Sequence, residues 1–172
     1  MSETLESIRI IKDFPKKGIS FYDISTILSN PQVFHKVVNR MAREVNKLNV
    51  DTIVGIDSRG FIFASAVAFK LKYKLVMIRK KGKLPYKTVS LEYDLEYGSA
   101  EIEMHIDSVG PGDKVIIHDD LLATGGTAQA AAKLISGQGA EIVGFSFIVE
   151  LSFLKGRDLL SCYSNNIKSI IK

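Results

Sequence analysis

A run of residues that leads from an apolar strand into a helix, residues 115–128, constrains the fold of this chain more than any other feature. Val115–Ile117 is continuously apolar, as in a strand buried on both faces of a sheet. Asp119 and Asp120 follow, and after a loop of small residues an alanine-rich helix is expected over Thr127–Gln138. Ligands of open α/β sheets bind at the carboxyl ends of such strands. The run therefore predicts an α/β fold with a ligand site at this junction.

The loop inside this run has the composition of an anion-binding loop. Small residues from Ala123 to Gly126 let the backbone approach a ligand, and N–H groups at the helix start, with the hydroxyls of Thr124 and Thr127, can surround a phosphate. The carboxylates of Asp119 and Asp120 would repel a phosphate, so they are better matched to sugar hydroxyls or to a cation. The loop fits neither a Walker loop nor a dinucleotide-binding fingerprint. We therefore predict a ligand that combines a phosphate with a ribose.

The preceding residues predict a second strand, helix and strand around the same core. Asn30 as the cap and Pro31 in the first turn predict the start of a helix whose apolar residues recur every three or four positions. The strand Thr52–Ile56, an apolar helix to about Leu71 and the strand Leu75–Ile78 imply a parallel crossover. With 172 residues, of which 46% are hydrophobic, the chain can bury one core but is too short for two ordinary domains. We expect one domain with a parallel sheet of about five strands flanked by helices.

Three segments outside this core have different patterns. Residues 4–12 predict a short amphipathic helix, and residues 1–30 together a small N-terminal hood. Residues 79–98 are basic and polar and contain a proline, which predicts a long flexible lid loop. The C-terminal residues predict a short helical piece and a hairpin around Asn165 and Asn166. Hood and lid are therefore expected as additions to a single domain, 1–172.

Composition excludes several classes of protein. One cysteine, Cys162, and three scattered histidines form neither an internal disulfide nor a zinc cluster. No apolar run approaches the roughly 20 residues that cross a bilayer, and the first residues lack the profile of a secretory signal. A net charge of +4 fits an enzyme with an anionic substrate as well as a weak nucleic-acid binder. We expect a soluble, cytoplasmic protein, and its charge alone leaves the ligand open.

Residues 115–128 closely resemble the phosphoribosyl pyrophosphate signature of the type I phosphoribosyltransferases. His118 departs from that pattern, because an apolar residue is usual there, but its side chain should point away from the ligand. Members that use 6-oxopurines carry an acidic residue at the position of Ala123 and often a lysine at Gly126, so this loop is similar to that of the adenine-specific branch. The resemblance extends over residues 14–25, 57–61, 79–98 and 150–157. It implies the type I phosphoribosyltransferase fold and the synthesis of AMP and pyrophosphate from adenine and 5-phosphoribosyl 1-pyrophosphate, a reaction of purine salvage.

The resemblance also implies a role for each residue that matches the family's motifs. Phosphoribosyl pyrophosphate or AMP would contact Asp119, Asp120, Ala123, Thr124, Gly125, Gly126 and Thr127. Pyrophosphate would contact Asp57, Ser58, Arg59, Arg79 and Lys83. Adenine would contact Ser20, Phe21, Tyr22 and Leu121. The implied catalytic residues lie on the lid, where Glu96 relays the purine proton and Tyr97 helps to close the loop.

The chemistry of these residues agrees with such roles but leaves alternatives open. Arg59 follows a strand and opens a helix, so it suits pyrophosphate, whereas an ordinary helix start would leave it solvated. Phe21 offers a stacking surface for a base but is equally suited to a core. The basic residues from Arg79 to Lys87 suit a lid that neutralises pyrophosphate, a solvated face or a nucleic-acid patch. For the proton relay, sequence chemistry alone leaves four rivals to Glu96, namely Glu92, Asp94, Glu101 and Glu103.

Cofactor and partners likewise follow from the resemblance. Mg²⁺ would be required and would bind mainly through the substrate, because it keeps much of its shell from phosphates and waters. The protein would be a homodimer without a nucleic-acid or membrane partner. One alternative is a phosphoribosyltransferase for another purine base, and another is a phosphoribosyl-pyrophosphate-sensing regulator that binds nucleic acid. The chain is expected to leave no room for a winged-helix module, and it has Glu96 and the basic lid, which favours the enzyme.

Overall fold

A seven-stranded sheet forms the centre of the computed structural model, which describes residues 8–14, 17, 20–94 and 98–172. Within these ranges the strands are β1 (Arg9–Lys12), β2 (Ser20–Asp23), β3 (Thr52–Ile56), β4 (Lys74–Lys80), β5 (Thr88–Asp94), β6 (Ser99–His105), β7 (Lys114–Leu122), β8 (Glu141–Glu150) and β9 (Ile167–Ile171). The helices are α1 (Ser25–Leu28), α2 (Pro31–Asn46), α3 (Gly60–Leu71), α4 (Gly126–Ser136) and α5 (Gly156–Leu160), with a 3₁₀ turn at Ser152–Leu154. The order of strands in the sheet is β5-β6-β4-β3-β7-β8-β9.

The five adjacent strands β4, β3, β7, β8 and β9 run parallel, and β6 and β5 extend the sheet by antiparallel pairing. The predicted α/β fold with a parallel sheet between helices is confirmed, with two antiparallel strands beyond the expected number. In the centre, β3 is buried along its whole length and Val115–Ile117 of β7 is buried too. The carboxyl ends of β3, β4 and β7 therefore meet at one edge of the sheet, where their loops can share a ligand.

Helices cover both faces of the sheet and give two hydrophobic layers. The helices α1, α2 and α3 pack on one face, with Phe63 and Ile116 in that layer, and α4 packs on the other, with Ile117 and Phe145. The start of α2 has the predicted cap, because the Asn30 side chain accepts hydrogen bonds from the N–H groups of Gln32 and Val33 at 3.1 and 3.2 Å. The buried side chains of α2 repeat every three or four residues, which fixes the face it presents to the sheet: Val33, Val37, Val38, Met41, Ala42 and Val45.

The predicted helix over residues 4–12 is wrong where the structure describes it, because residues 9–12 form β1 and pair with β2. In a strand, residues three apart point to opposite faces. The apolar residues that would share one face of a helix therefore do not share one face here. Ile8 is 8% exposed, whereas Ile11 is 37% exposed. Pairing with Ser20–Asp23 gives hydrogen-bond partners to one edge of each strand, and that long-range partner is not visible in the local pattern.

The predicted irregular loop over residues 79–98 is largely regular structure. Arg79 and Lys80 continue β4, and Thr88–Asp94 forms β5, which pairs with β6 from Thr88–His105 to Asp94–Ser99. Val89, Leu91 and Tyr93 alternate with more exposed residues and pack on the core. The basic residues before β5 obscured this period-two pattern. Of the predicted lid, residues 81–87 and Gly98 are the described positions outside strands, and residues 95–97 lie outside the described part of the chain.

The predicted C-terminal hairpin is also wrong, since β9 runs parallel to β8 with Phe145 opposite Ile167. A parallel neighbour needs a crossover, which the 3₁₀ turn and α5 supply. Ser164 and Asn166 close the crossover by donating side-chain hydrogen bonds to the carbonyl of Val143 at 2.7 and 3.1 Å. None of the helices in the described part of the chain is long and apolar enough to span a bilayer.

Candidate active site

The loop between β7 and α4 borders a cavity of about 200 Å³ at the carboxyl edge of the sheet. The cavity is lined by Arg59, Asp119, Asp120, Leu121, Leu122, Ala123, Thr124, Gly125, Gly126, Thr127 and Ala128. All seven residues predicted to contact the phosphoribosyl group are in this lining. Residues 123–127, which we call the phosphate loop, lead into α4, whose first turn has no acidic residue. The N–H groups and the positive end of the helix dipole are thus available to an anion.

Gly125 gives the phosphate loop its shape. Its φ of 90° lies in the left-handed region, which side chains rarely adopt, and it precedes the first residue of α4. A Cβ added at Gly125 would lie 2.8 Å from the carbonyl oxygen of Gly156, on a neighbouring segment. A side chain at this position would therefore push the loop away from Gly156 instead of filling the cavity. Gly125 is required for both the turn and this backbone contact.

The two carboxylates at the end of β7 have different surroundings. Asp120 is buried, and its Oδ2 lies 2.8 Å from Nη2 of Arg59. Asp119 accepts a hydrogen bond from the N–H of Asp120 at 2.8 Å and contacts Gly60, where an added Cβ would lie 3.0 Å from its Oδ1. Burial, reinforced by the negative charge of Asp120, raises the pKa of Asp119 well above its usual range. The cavity thus presents one carboxylate paired with arginine beside a second that resists ionisation.

Arg59 connects the carboxylate pair to the residues predicted to bind a base. Its guanidinium carbon lies 5.4 Å from the centroid of the Phe21 ring, and Phe21 in turn meets Phe14 edge to face at 5.3 Å. Phe21 is half-buried and Ser20 is exposed, while the Tyr22 side chain packs partly against the core. Leu121 lines the cavity from β7. Phe21 is therefore next to the cavity, with Arg59 on its ring.

The residues predicted to contact pyrophosphate follow β3 and β4. Asp57 accepts a hydrogen bond from Nε of Arg79 at 3.2 Å, so the ends of the two strands are joined by an ion pair. Nη1 of Arg79 also donates to the carbonyl of Lys83 at 3.4 Å, and Ser58 is exposed. Arg59 lies on the cavity side of this group. Asp57, Arg79 and Lys83 are therefore joined to one another, whereas Arg59 pairs with Asp120 on the cavity side.

The hairpin of β5 and β6 contacts the phosphate loop directly. The hydroxyl of Tyr93 donates to Oγ1 of Thr127 at 3.2 Å, a contact that sequence reasoning missed. The alternation of apolar and polar residues over 88–94 was the signal for it, because that pattern turns Tyr93 toward the core side. Glu96 and Tyr97, the predicted catalytic residues, lie outside the residues that the structure describes. Tyr93 is therefore the described side chain that joins the lid segment to the phosphate loop.

Three of the four rivals for the proton relay are engaged elsewhere. Glu103 is buried and accepts hydrogen bonds from the N–H groups of Lys83 and Leu84 at 2.8 and 2.9 Å. Burial raises the pKa of Glu103, but these backbone hydrogen bonds outweigh it and hold the pKa below the usual range. Glu101 lies 3.1 Å from Lys81, and Glu92 accepts from the Ser99 hydroxyl at 2.6 Å. Glu103 thus anchors the turn between β4 and β5.

Comparison with known proteins places this geometry among enzymes of one kind. A model of the phosphoribosyl transferase domain matches residues 23–160. An adenine phosphoribosyltransferase of Clostridium botulinum (strain Loch Maree / Type A3) is 50% identical over 161 residues, which are 94% of either chain. The crystal structure of adenine phosphoribosyltransferase from Thermoanaerobacter pseudethanolicus superposes with a TM-score of 0.95 at 43% identity, covering 99% of this chain and 98% of that one.

A third similar structure carries ligands. It is adenine phosphoribosyltransferase from Saccharomyces cerevisiae in complex with D-2,5-dideoxy-2,5-imino-altritol 1,6-bisphosphate and adenine, with a TM-score of 0.90 at 35% identity. The match covers 98% of this chain and 97% of the yeast chain. Identity above one third over nearly full lengths, together with the matching family model, exceeds what a shared fold alone requires.

Proposed function

This chain belongs to the phosphoribosyl transferase family, and from that premise we propose that it transfers the phosphoribosyl group of 5-phosphoribosyl 1-pyrophosphate to adenine, giving AMP and pyrophosphate. The observation that carries the proposal is the cavity lined by Asp119, Asp120 and the phosphate loop, with Arg59 and Phe21 beside it. It offers donors for a phosphate, carboxylates for a ribose and an aromatic face for a base. The relatives at 50% and 43% identity are adenine phosphoribosyltransferases, which makes adenine the base.

The phosphoribosyl group would bind along the end of β7. The 5′-phosphate would accept hydrogen bonds from N–H groups of residues 124–127 and from the hydroxyls of Thr124 and Thr127. Asp119 and Asp120 would accept hydrogen bonds from ribose hydroxyls, which are donors. Holding the sugar at both ends fixes C1′ against the incoming base, and such orientation accounts for a large part of the barrier lowering in group transfer.

Arg59 must rearrange when substrates bind, because it pairs with Asp120 and covers Phe21. A pyrophosphate group has a higher charge than a carboxylate, so it competes well for the guanidinium. Movement of Arg59 toward pyrophosphate would free Asp120 for the ribose and Phe21 for adenine. Ser58, Arg79 and Lys83 complete the proposed pyrophosphate site, with Asp57 holding Arg79 in place.

The reaction breaks the bond from C1′ to a pyrophosphate oxygen and forms the bond from C1′ to N9 of adenine. Positive charge develops on the ribose ring, and the purine loses its N9 proton. Adenine would lie between Phe21 and Leu121, with the backbone of Ser20 and Tyr22 beside its N1 and N6 groups. Glu96 on the lid would relay the purine proton, and closure of the lid by Tyr97 would exclude water.

We propose Mg²⁺ as the cofactor, carried by the substrate. No three His, Cys, Asp or Glu side chains of the described residues lie together to hold a metal ion. Asp119 and Asp120 are the carboxylates at the site, and Arg59 pairs with one of them. This donor set fits an ion held mainly by pyrophosphate and ribose oxygens, because Mg²⁺ readily keeps phosphate and water ligands. When bound, the ion would neutralise charge on the leaving pyrophosphate.

The protein is further proposed to act in the cytoplasm as a homodimer. Support for the dimer comes from exposed apolar side chains on α3 and β4: Ile62, Phe69, Leu75 and Met77. Val76 and Ile78 pack in the layer that contains α4, so Leu75 and Met77 face the side that carries α3. An apolar face of this kind on a soluble enzyme is a typical subunit interface.

The decisive experiment measures pyrophosphate release from purified protein, Mg²⁺ and phosphoribosyl pyrophosphate with adenine, hypoxanthine, guanine, xanthine or uracil. Turnover with adenine, and much slower turnover with the other bases, is expected. Activity confined to hypoxanthine or guanine would contradict the base assignment. No turnover, together with a gel shift of nucleic acid that depends on phosphoribosyl pyrophosphate, would instead indicate a regulator.

A further inference from the structure

The segment after β8 forms a backbone support beneath the phosphate loop. Gly156, the first residue of α5, has no room for a side chain, because a Cβ there would overlap the carbonyl oxygen of Ala123. From the other side, a Cβ on Gly125 would lie 2.8 Å from the carbonyl oxygen of Gly156. The two backbones are thus in direct contact, and any displacement of Gly156 is transmitted to the phosphate loop.

A buried ion pair holds the segment in place. Glu150, the last residue of β8, is 5% exposed and accepts two hydrogen bonds from Arg157, from Nε at 2.6 Å and from Nη2 at 2.8 Å. The hydroxyl of Ser169 on β9 donates to the same carboxylate at 2.5 Å. Burial raises the pKa of Glu150, but the hydrogen bonds from Arg157 and Ser169 outweigh burial and hold the pKa below its ordinary value. The carboxylate of Glu150 is therefore ionised, and Arg157 and Ser169 are its hydrogen-bond donors.

The start of α5 depends on this pair. The helix has five residues, and a helix this short is not stable through its own hydrogen bonds alone. Leu160 is fully buried and anchors the far end, whereas the near end is Gly156 followed at once by Arg157. Phe153, in the 3₁₀ turn before it, is 77% exposed and contributes little packing. The bidentate pair is thus a side-chain restraint that acts directly on the end of α5 that touches the loop.

We propose that Glu150 and Arg157 are positioning residues for the phosphate loop. By fixing Gly156 beneath Ala123 and Gly125, they set the direction of the N–H groups that bind the 5′-phosphate. Neither residue lines the cavity, so the effect passes through the backbone contact. The proposal rests on the proposed function, since it assumes that the loop binds the 5′-phosphate of the substrate.

The proposal predicts a defect confined to ligands that carry the 5′-phosphate. Arg157→Lys keeps the charge but loses the bidentate geometry, and Glu150→Gln keeps the shape but loses the charge. In calorimetry, each variant should weaken the binding of ribose 5-phosphate by at least about tenfold, as expected for displacement of a positioned group. The binding of Mg²⁺-pyrophosphate, which uses the turn after β3, should stay within about twofold of wild type. Gly156→Ala should give the same selective loss with the ion pair intact.

A matched control separates positioning from general loss of stability. Val37→Ala removes buried side-chain volume from α2, in the other layer, and should lower the melting temperature without changing either affinity. If Arg157→Lys and Gly156→Ala bind ribose 5-phosphate as tightly as wild type, or lose both ligands equally, the positioning role is wrong. A wild-type protein that binds neither ligand and does not turn over adenine would contradict the proposed function instead.

Discussion

Asp119 and Asp120 are adjacent in sequence but differ in how the fold holds them. Asp120 pairs with Arg59, and Asp119 lies against Gly60 with a raised pKa caused mainly by burial. These contacts explain why two carboxylates are tolerated side by side in a buried place. Asp120 has Arg59 as its partner. Asp119 binds a proton more tightly, which avoids part of the free-energy cost of burying a charge.

The Asp119→Asn, Asp120→Asn double variant should fold and lose most of its catalytic efficiency. Ribose hydroxyls lose the carboxylate of Asp120, which contributes roughly 1.5–3 kcal/mol, and a second carboxyl acceptor in Asp119, so kcat/KM should fall by at least about tenfold. Steady-state kinetics with adenine measures the loss. Asp113→Asn, which removes a carboxylate paired with Lys74 at the opposite edge of the sheet, is the control and should keep its efficiency. Near-wild-type kcat/KM in the folded double variant would rule out the ribose contact.

His118 points away from the cavity, as the sequence predicted, and lies between β7 and the layer of α3, edge to face with Phe63. Burial lowers the pKa of His118 from 6.5 to about 4, and this effect outweighs the opposing effect of the Ser146 backbone. Neither ring nitrogen has a hydrogen bond of normal geometry to the described residues. The folded protein therefore keeps this histidine neutral where the unfolded chain protonates it.

His118 should make the protein less stable in mild acid. Between the folded pKa of about 4 and the unfolded value of 6.5, the unfolded state binds more protons, so the free energy of unfolding falls as the pH is lowered through this window. The loss between pH 7 and pH 5 should be about 2 kcal/mol. Urea unfolding across this range measures it. His118→Leu should flatten the dependence by that amount, whereas exposed His35→Gln should not; equal slopes in all three proteins would contradict the assignment.

The described part of the lid segment, residues 79–94 and 98, contains more regular structure than its composition indicates. Its β5 strand contacts Thr127 through Tyr93, and its first turn is held by Glu103. The hairpin of β5 and β6 is thus held to both the sheet and the phosphate loop as far as Asp94.

Glu96→Gln should slow the chemical step and leave substrate binding nearly unchanged. Glutamine keeps the length and hydrogen-bonding shape but cannot relay a proton, so the single-turnover rate should fall by at least about tenfold. The affinity for phosphoribosyl pyrophosphate should change little, because the interaction matters mainly in the transition state. Rapid-quench measurement is needed, since slow product release can hide the defect in kcat.

Glu101→Gln serves as the comparison, because Glu101 pairs with Lys81 on the same hairpin. It should keep its single-turnover rate. An unchanged rate in Glu96→Gln would exclude Glu96 as the relay, and a selective loss in Glu101→Gln would transfer the role to Glu101.

In the molecule as a whole, apolar side chains of α3 and β4 are exposed, and the proposed homodimer would cover them. Phe69 is 89% exposed, and Leu75 and Met77 are 42% and 45% exposed on the strand beside it. The helix α3 packs against β4, so these exposed side chains belong to two neighbouring elements.

Phe69→Glu should convert the dimer to a monomer, because a buried unpaired charge at an apolar interface is costly. Sedimentation equilibrium at micromolar concentration measures the mass. Phe153→Glu, at a residue that is 77% exposed elsewhere, is the control and should remain dimeric. A wild-type protein of monomer mass, or a Phe69→Glu variant that stays dimeric, would contradict this interface.

The sequence by itself determined the parts of this protein that depend on local order along the chain. The apolar run of β7, the small residues of the phosphate loop and the Ala-rich α4 follow one another directly, so their period and composition predicted the fold class and the position of the proposed phosphate loop. The capped start of α2 was predictable for the same reason, since Asn30 acts on residues two and three positions away.

Only the tertiary structure decided which distant residues meet. β1 is a strand because β2 satisfies its backbone, and β9 is parallel because α5 carries the chain across. Arg59 reaches Asp120 and Phe21, and Arg157 reaches Glu150 while Gly156 supports the phosphate loop, because separate elements converge at one edge of the sheet. Such contacts depend on packing between segments far apart in sequence, and local periodicity does not encode them.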